Sequence, residues 1–259
     1  MTPLTAGNAR VKEARKLSRR SVRTERRLFL ADGPKAVEGA LEVPDRVVEV
    51  FATPAAVDQY ADLLAAVDVT LVEHRALGSL SDAVNPAGVV AVCRHLDQPV
   101  DGLIEADGTL VICADIRDPG NAGTVIRTAD AAGAHAVVFA GQSVDPYNPK
   151  TVRASVGSLF HVPFAIDPDP AAVIRAAQAA GRVVLAADGG GEVDLFAADH
   201  LLDQRVAWLF GNEAWGLPPE LAVLADHRVR IPIRGRAESL NLATAAAVCL
   251  YASAKVQRG

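Results

Sequence analysis

The sequence predicts two consecutive α/β domains, of which the second is built on a mostly parallel sheet. Three observations support this fold class. The chain has 259 residues, which is more than a single domain usually holds. Half of the residues are hydrophobic, enough to fill a sizeable core. Short apolar strand patterns alternate with helix patterns in two series, and a stretch without periodicity separates the two.

The first series begins near residue 28 and ends near residue 93. Strand, helix, strand, helix and strand patterns follow one another, and a further apolar run closes the series. The segments are RLFLADG, PKAVEGAL, VVEVFAT, AAVDQYADLLAAV, VTLVEH and GVVAVCR. We therefore expect a compact α/β domain at residues 1–94. The next segment, HLDQPVDGLIEADG, lacks sustained periodicity, so we place an interdomain linker at residues 95–108.

The second series, at residues 109–259, alternates more regularly. Its strand patterns are TLVICAD, HAVVFAG, VPFAI, RVVLAAD, VAWLFG and HRVRIPI. Helix patterns lie between them, and a closing helix is predicted to begin at Ser239. Short apolar strands that alternate with helices indicate a parallel sheet covered on both faces. Ligands of such sheets bind in the loops at the carboxyl ends of the strands.

The positive charge of the chain is concentrated near the N-terminus. The whole chain has a formal net charge of -5, whereas residues 10–27 contain nine basic and two acidic residues, a local balance of +7. Such a run is either the solvated face of a helix or a site that binds phosphates independently of sequence. The candidate phosphate contacts are Arg10, Lys12, Arg15, Arg19, Arg20 and Arg23.

Several classes of site are disfavoured. Cys93, Cys113 and Cys249 lie far apart among apolar neighbours, which indicates buried thiols in a reducing compartment rather than disulfides. The six histidines lack metal-ligand spacing, so we expect no metal. The N-terminus lacks the apolar core of a signal peptide, and no uncharged apolar run spans a bilayer comfortably. We therefore expect a soluble cytoplasmic protein without a membrane partner.

A nucleotide-dependent enzyme of the doubly wound class is one alternative. Such an enzyme would carry a GxGxxG turn after the first strand of a domain, and neither series has this turn. The glycine-rich segment DGGGE, at residues 188–192, lacks the helix pattern that should follow, so we interpret it as a turn. The sequence therefore disfavours dinucleotide binding.

Three loops at predicted strand ends contain unusual polar residues. In the first, DIRDPGNAGTVIRTADAAG, Asn121 stands at the start of a helix, where free N–H groups favour a phosphate or a carboxylate. Arg127 follows six residues later, and its long side chain can reach forward. The alternative interpretation is a helix N-cap followed by a surface arginine.

The second loop, LFGNEAWGLPPEL, follows a predicted buried strand. Gly211 permits close approach of the backbone to a ligand, and Glu213 is a charge that needs a partner; an ordinary turn is the alternative. In the third loop, RIPIRGRAESLNLATAAAV, Pro232 cannot donate a ladder hydrogen bond, so backbone groups near Ile231 are left for a ligand. Ser239 is a pocket residue, the N-cap of the closing helix, or both.

These three segments closely resemble, in order, the motifs of the SpoU (TrmH-like) family of RNA ribose 2'-O-methyltransferases in the SPOUT superfamily. The matching segments are DPGNAGTVIRTADAAG, LFGNEAWGL and IPIRGRAESLNLATAAAV, and the resemblance covers residues 110–256. It implies a C-terminal SPOUT domain with a deep trefoil knot, a rare exception to unknotted topology. It also implies S-adenosylmethionine (SAM) bound in that knot and a homodimer with the active site near the subunit interface.

The N-terminal domain resembles the ribosomal-protein-like RNA-binding extension of rRNA-modifying members, through LFLADGPKAVEGAL and SDAVNPAGVVAV. The resemblance also implies roles for single residues. The catalytic positions fall on Asn121, Arg127, Glu213, Ser239 and Asn241. The cofactor-binding positions fall on Leu209, Gly211, Asn212, Ile231, Pro232, Ile233 and Leu240. The basic N-terminal residues named above and Arg153 become candidate RNA-binding residues.

We expect Arg127 to clamp an RNA phosphate and to steady a developing alkoxide. A guanidinium is effectively always protonated and has no acceptor, so a role as the base would need a strong local shift of its pKa. Asn121, Ser239 and Asn241 would orient the ribose and the cofactor. Glu213 would fix Arg127 or the wall of the pocket.

The expected function is SAM-dependent 2'-O-methylation of RNA. The basic N-terminal segment favours a large structured RNA such as 23S rRNA over tRNA. The alternatives are a tRNA 2'-O-methyltransferase and a non-catalytic RNA-binding or ribosome-assembly protein that would not bind SAM. Intact polar residues in all three motifs count against the non-catalytic alternative.

Overall fold

The structure is a computed structural model that describes residues 2–257 of the chain. The chain forms two units, which are described separately. Unit 1 contains the chain up to Leu96 together with Asp145–His161, and unit 2 contains Asp97–Val144 and the chain from Val162 onward. The sequence predicts Asp145–His161 in the second domain. The structure groups it with unit 1, because its helix packs against the first strand of that unit.

The described part of the chain contains short strands and helices in alternation. The strands are β1 (Leu28–Asp32), β2 (Val47–Ala52), β3 (Val69–Leu71), β4 (Val89–Arg94), β5 (Leu110–Ala114), β6 (Ala136–Ala140), β7 (Phe164–Asp167), β8 (Val183–Ala187), β9 (Val193–Asp194), β10 (Val206–Phe210) and β11 (His227–Arg230). The helices are α1 (Ala9–Arg15), α2 (Arg20–Arg26), α3 (Pro34–Glu42), α4 (Pro54–Gln59), α5 (Ala61–Leu64), α6 (His74–Gly78), α7 (Val100–Glu105), α8 (Pro119–Ala132), α9 (Pro149–Ser155), α10 (Pro170–Ala179), α11 (Asp199–Leu202), α12 (Pro219–Ala222) and α13 (Leu242–Gln257). Short 3-10 helices lie at Lys16–Ser18, Ser158–Phe160 and Leu195–Ala197.

Unit 1 is built on a four-stranded sheet in the order β1-β4-β2-β3. Strand β4 is antiparallel to β1 and β2, whereas β2 and β3 are parallel. Val11, Ala14 and Leu17, three residues apart, are buried in the core of this unit, as expected for one face of a helix. Lys12 and Arg15 lie between them and are exposed. The apolar face therefore anchors the start of the basic run, and Lys12 and Arg15 point to solvent.

Unit 2 is built on a seven-stranded sheet in the order β7-β6-β5-β10-β8-β11-β9. All neighbouring strands are parallel. Every residue of β5, β6 and β10 is buried, as expected for strands covered on both faces. The predicted α/β fold with a parallel sheet is therefore confirmed. The strand order changes direction beside β5, and ligands of such sheets bind at the carboxyl ends of the strands near this point.

The predicted linker belongs largely to unit 2. Helix α7 lies within residues 95–108, and its Leu103 and Ile104 are buried in the core of unit 2. The buried Arg182 guanidinium donates hydrogen bonds to the carbonyl oxygens of Ile104 at 2.8 Å and Gly108 at 2.7 Å. Burial lowers the pKa of Arg182 to about 10, so this group stays charged at neutral pH. A single short helix offers too few residues for a periodic pattern, and α7 was therefore not visible in the sequence.

Helix α13 begins at Leu242 rather than at Ser239. The side-chain oxygen of Asn241 accepts hydrogen bonds from the N–H groups of Ala243 at 2.9 Å and Thr244 at 3.3 Å. Asn241 is therefore the residue that caps this helix, and the N-cap interpretation of Ser239 is wrong. Within residues 2–257, neither α13 nor any other helix combines the length and apolarity that crossing a membrane requires.

The three cysteines are buried and unpaired, which confirms the expectation of buried thiols. Burial raises the pKa of the Cys93 thiol to about 12 and also raises the pKa of Cys113 and Cys249. None of these thiols is therefore a nucleophile at neutral pH. In the described part of the chain, no group of three His, Cys, Asp or Glu side chains is arranged to hold a metal ion.

Candidate active site

One chain of hydrogen bonds joins the three predicted motifs in unit 2. The Asn241 amide donates from Nδ2 to Oδ1 of Asn121 at 2.9 Å. The Asn121 amide donates from Nδ2 to Oε1 of Glu213 at 3.3 Å. We call these three residues the polar chain. Each comes from a different motif, because the loops that follow β5, β10 and β11 meet at the carboxyl edge of the sheet.

The Glu213 carboxylate also holds the entrance to α8. It accepts hydrogen bonds from the N–H groups of Arg117 at 3.1 Å and Asp118 at 3.0 Å. The Asp118 carboxylate caps the helix by accepting from the N–H of Asn121 at 2.8 Å. The protein's own carboxylates thus fill the place where the sequence predicts a phosphate or a carboxylate. Within the described residues, no hydrogen bond or ion pair joins Glu213 to Arg127, so the structure supports only the other predicted role of Glu213, at the pocket wall.

Arg127 is exposed on α8 and stands apart from the polar chain. Across residues 2–257 its guanidinium has no hydrogen-bond or ion-pair partner. Six residues separate it from Asn121, which is about 9 Å along a helix axis and a different side of the helix. A permanently charged guanidinium without a protein partner is suited to a phosphate, because its planar fork matches two phosphate oxygens.

A cavity of about 690 Å³ lies at the carboxyl ends of β8, β10 and β11. The predicted residues on its wall are Gly211, Asn212, Glu213, Ile231, Pro232, Ile233, Ser239 and Leu240. Strand β11 ends before Pro232, as the missing N–H of proline requires. Leu209, predicted to bind the cofactor, is instead fully buried in the core of unit 2, because side chains alternate along β10 and Phe210 faces the cavity.

The segment that follows β8 is part of the cavity wall, although the three sequence motifs do not include it. Asp188 and Gly189 line the cavity, whereas the sequence predicts only a turn in their segment DGGGE. A Cβ on Gly191 would stand 2.7 Å from backbone atoms of Arg228, so this glycine allows two chain segments to pack closely. The position of this segment in the sequence could have indicated its role, because it directly follows a buried parallel strand.

The cavity wall is rich in carboxylates. They belong to Asp188, Asp194, Glu213 and Glu238. Arg230 also lines the cavity, but its guanidinium donates to the carbonyl oxygen of Gly191 at 2.9 Å and lies 3.9 Å from Asp194. Because the carboxylates outnumber this cation, the wall favours a positively charged group on a ligand.

The backbone crosses closely at Gly211. A Cβ on this residue would stand 2.4 Å from the carbonyl carbon of Gly216. Asn212 and Gly216 exchange two backbone hydrogen bonds, at 2.9 Å and 3.0 Å, and Gly216 has a φ of +70°. The loop after β10 is therefore a tight turn, and the close approach predicted at Gly211 is made first to the protein's own backbone.

The basic run of unit 1 divides into free and paired residues. Lys12, Arg15, Arg19 and Arg20 are exposed, and their side chains have no hydrogen-bond or ion-pair partner in the described part of the chain. We call these four the free cations. Arg10 forms an ion pair with Glu49 at 2.5 Å, although more than half of its side chain stays exposed. The free cations are the part of the run that is open to phosphates.

Arg23 is not available to RNA, and its predicted role is wrong. The residue is only 3% exposed. Its guanidinium donates to Oδ2 of Asp145 at 2.6 Å and to the carbonyl oxygens of Leu17 at 2.9 Å and Ser18 at 2.8 Å. Arg23 is buried because it pairs with the carboxylate of Asp145, which lies far along the chain. The local pattern of the basic run does not reveal this partner.

We expect Arg23→Ala to lower the free energy of unfolding by about 3–5 kcal/mol, because it leaves the buried Asp145 carboxylate without its partner. Urea denaturation measures the loss. Arg19→Ala is the matched control; it removes an exposed free cation and should change stability by less than about 0.5 kcal/mol. Equal stability of the two variants would contradict the structural role of Arg23.

Arg153 is also engaged within unit 1. It forms an ion pair with Asp82, and its Nη1 lies 3.7 Å from Oδ2 of Asp32. Ser81 donates a hydrogen bond to Asp32 at 2.5 Å, and burial raises the pKa of Asp32. Two acidic side chains therefore face Arg153, so its prediction as an RNA-phosphate contact does not fit the structure.

Two family models and several known proteins are similar to this chain. A family model described as the SpoU rRNA Methylase family matches residues 108–251. A second model, described as the MRM3-like substrate binding domain, matches residues 8–91. The 23S rRNA (guanosine(2553)-2'-O)-methyltransferase RlmP of Bacillus subtilis is 33% identical over 95% of this chain and 96% of its own length.

Two crystal structures are similar along nearly the whole chain. The AdoMet-bound rRNA methyltransferase from Sinorhizobium meliloti is 36% identical, with a TM-score of 0.86 over 98% of this chain and 97% of that one. The SpoU methyltransferase AviRb from Streptomyces viridochromogenes, in complex with AdoMet, is 33% identical, with a TM-score of 0.85 over 97% of this chain and 99% of that one. A family model that spans more than half of the chain and a relative aligned over nearly all of it show that this chain belongs to the SpoU rRNA methylase family.

Proposed function

We propose that the chain transfers a methyl group from SAM to a ribose 2'-hydroxyl of 23S rRNA. The observation that carries the proposal is the polar chain, which ends at the wall of the acidic cavity through Glu213. RlmP supports the reaction and the RNA, and the two AdoMet-bound family structures support the cofactor. The activities in these names are those of the relatives, and we extend them to this chain.

The cavity fits SAM in size and in chemistry. Its volume of about 690 Å³ is within the range of small-molecule sites. Ile231, Pro232 and Leu240 provide apolar walls for a flat heterocycle. The carboxylate of Glu238, which has no ion-pair partner among the described residues, suits a positive charge of the ligand. When bound, SAM supplies an electrophilic methyl group on a positively charged sulfur.

The two amides of the polar chain are held in one orientation. Asn241 uses its oxygen to cap α13 and one N–H to reach Asn121, and Asn121 uses one N–H to reach Glu213. Each amide nitrogen carries two hydrogens, so one N–H on each residue remains for a substrate. These fixed donors can orient the ribose and stabilise negative charge that develops on the 2'-oxygen.

Arg127 has a different task in this mechanism. A guanidinium has no hydrogen-bond acceptor, so Arg127 does not take the proton of the 2'-hydroxyl, which passes to solvent as the methyl–sulfur bond breaks and the methyl–oxygen bond forms. Free of protein partners, it binds the RNA phosphate and keeps the nucleotide in register. Ser239, on the cavity wall, orients the ribose or the cofactor at the point where the two meet.

We propose a larger assembly as well. Residues 1–94 act as the RNA substrate-binding domain, and residues 109–259 act as a SPOUT domain with a deep trefoil knot; the extent of the two family models supports this division. Two copies form a homodimer, which the exposed Tyr251 on the largely apolar α13 supports. The enzyme works in the cytoplasm, where rRNA is available.

Cofactor binding and substrate choice test the proposal together. Calorimetry with SAM should show saturable binding to the purified full chain. Transcripts of 23S rRNA fragments and of tRNAs, incubated with methyl-labelled SAM, should incorporate label only in a 23S fragment. Label in tRNA alone would establish the tRNA alternative. Absence of both SAM binding and label would indicate a non-catalytic RNA-binding protein.

We expect replacement of the free cations with alanine to weaken RNA binding and to flatten its salt dependence. Each lost phosphate contact should reduce the slope of log K against log salt by about 0.7–0.9. Fluorescence anisotropy with a labelled rRNA fragment at several salt concentrations measures the slope. Arg26→Ala and Lys35→Ala are controls, since both residues pair with carboxylates on the same unit. An unchanged salt slope in the variant that lacks all four free cations would mean that the basic run is only a solvated face.

A further inference from the structure

Trp215 is an exposed tryptophan on the turn that carries Glu213. Its residue surface is 62% exposed, whereas Trp208, the other tryptophan of the chain, is fully buried and donates to the Ser253 hydroxyl at 2.9 Å. Within the described residues, Trp215 has no hydrogen bond or ring contact from its side chain. A tryptophan left uncovered beside a cavity offers a flat aromatic face to a ligand.

The turn holds Trp215 in a fixed place. Asn212 and Gly216 exchange two backbone hydrogen bonds across it, and the Asn212 side chain accepts a third from the N–H of Ala214 at 2.8 Å. Gly211 and Gly216 pack too closely to admit a side chain at Gly211. The indole is therefore presented on a preorganised backbone, so a ligand does not have to order the turn itself.

The neighbours of Trp215 indicate the chemistry of its partner. Ala214 and Gly216, on either side in sequence, line the cavity, and Glu213 belongs to the polar chain. A carboxylate two residues away disfavours a phosphate. A neutral, flat ring is favoured, and in RNA only the nucleobase is such a group.

We propose that Trp215 stacks on a nucleobase of the RNA, at or next to the nucleotide whose ribose is methylated. This inference rests on the proposed function. A 2'-hydroxyl inside folded rRNA reaches an enzyme cavity when its nucleotide leaves the neighbouring stack, and an aromatic side chain replaces the lost stacking. Stacking of this kind changes binding roughly 5- to 150-fold when the aromatic residue is removed.

Fluorescence of the full chain provides the first test. Titration with a 23S rRNA fragment that accepts label should quench the emission of the wild type, because a stacked base quenches an exposed indole. The Trp215→Phe variant reports only the buried Trp208, and its emission should stay constant over the same titration. Equal quenching in both proteins, or no quenching in either, would overturn the proposal.

Kinetics provide the second test. Trp215→Leu should raise the KM for the RNA at least about fivefold, whereas Trp215→Phe should keep most of the affinity, since phenylalanine can still stack. Both variants should bind SAM as the wild type does. Phe196→Leu is the control, because Phe196 is 60% exposed in the same unit and does not line the cavity.

Two results separate the inference from the proposed function. Methyl transfer by Trp215→Leu with an unchanged KM would overturn the stacking role and leave the function intact. A wild type without SAM binding or methyl transfer would overturn the function itself.

A change of oligomeric mass in Trp215→Leu, measured by light scattering, would show that Trp215 contacts a second copy of the chain, which also overturns the inference.

Discussion

Arg127→Ala should reduce methyl transfer roughly 10²- to 10³-fold, the loss that follows removal of one group that stabilises transition-state charge. SAM affinity should stay unchanged, because Arg127 does not line the cavity. The reason is that the guanidinium on α8, which has no partner in the described part of the chain, is proposed to bind the RNA phosphate. Rates with labelled SAM and an accepting rRNA fragment, together with calorimetry of SAM binding, measure the two effects.

Arg175→Ala is a matched control for this variant. Arg175 is an exposed arginine on helix α10 of the same unit, and it has no partner in the described part of the chain. Its replacement should leave transfer unchanged. Weakened SAM binding in Arg127→Ala would show that Arg127 holds the cofactor instead. Full activity of Arg127→Ala would remove it from the mechanism.

Gly211→Ala should abolish SAM binding and transfer. The new methyl group would stand 2.4 Å from the carbonyl carbon of Gly216, which is a backbone atom of a tight turn and cannot move aside easily. Overpacking of this kind costs about 1–3 kcal/mol in a well-packed site. We expect the turn to open, which would displace Asn212 and Glu213 on the cavity wall. Calorimetry with SAM and thermal unfolding together measure the change.

Gly190→Ala provides the comparison. A Cβ at Gly190 would meet its nearest neighbouring atom, on Asp188, at 3.5 Å, which is ordinary contact. This variant should therefore bind SAM almost as the wild type does. If Gly211→Ala also binds SAM normally, the close crossing of the turn is not what shapes the cavity.

The arrangement of the second domain was predictable from the sequence because its information is local. Each buried strand of five apolar residues and each helix of a few turns leaves a pattern that can be read without knowing its neighbours. Where the element is short, the pattern fails, as α7 shows with its six residues inside the predicted linker. The first residue of α13 was predicted incorrectly for another reason. Both Ser239 and Asn241 are good capping residues, and only the geometry selects Asn241.

Contacts between distant residues were not predictable. Arg23 belongs to a local basic pattern, yet Asp145 lies 122 residues away and buries it. Arg153 lies close to the SpoU motifs in sequence, whereas its helix packs in unit 1 beside Asp32. In both cases the charge pattern alone suggests an RNA contact. The acidic partner of each arginine is brought close only by the folding of the chain.

The motif residues were predicted more successfully than the charged contacts, because the motifs occur in a fixed order along the sequence. Asn121, Glu213 and Asn241 were singled out by resemblance, and the structure joins them by hydrogen bonds. The resemblance did not reveal that Glu213 would hold the entrance of α8 or that Asp188 would line the cavity. Those features depend on which strand ends meet at one edge of the sheet.

The most direct test of ribose 2'-O-methylation by this chain is to map the product of the reaction. Purified protein is incubated with methyl-labelled SAM and unmodified 23S rRNA transcripts, and the RNA is then hydrolysed with alkali, which cannot cleave a linkage whose 2'-oxygen is methylated. We predict label at one alkali-resistant position of 23S rRNA. Label that falls entirely in alkali-sensitive nucleotides would place the methyl group on a base and would contradict ribose 2'-O-methylation.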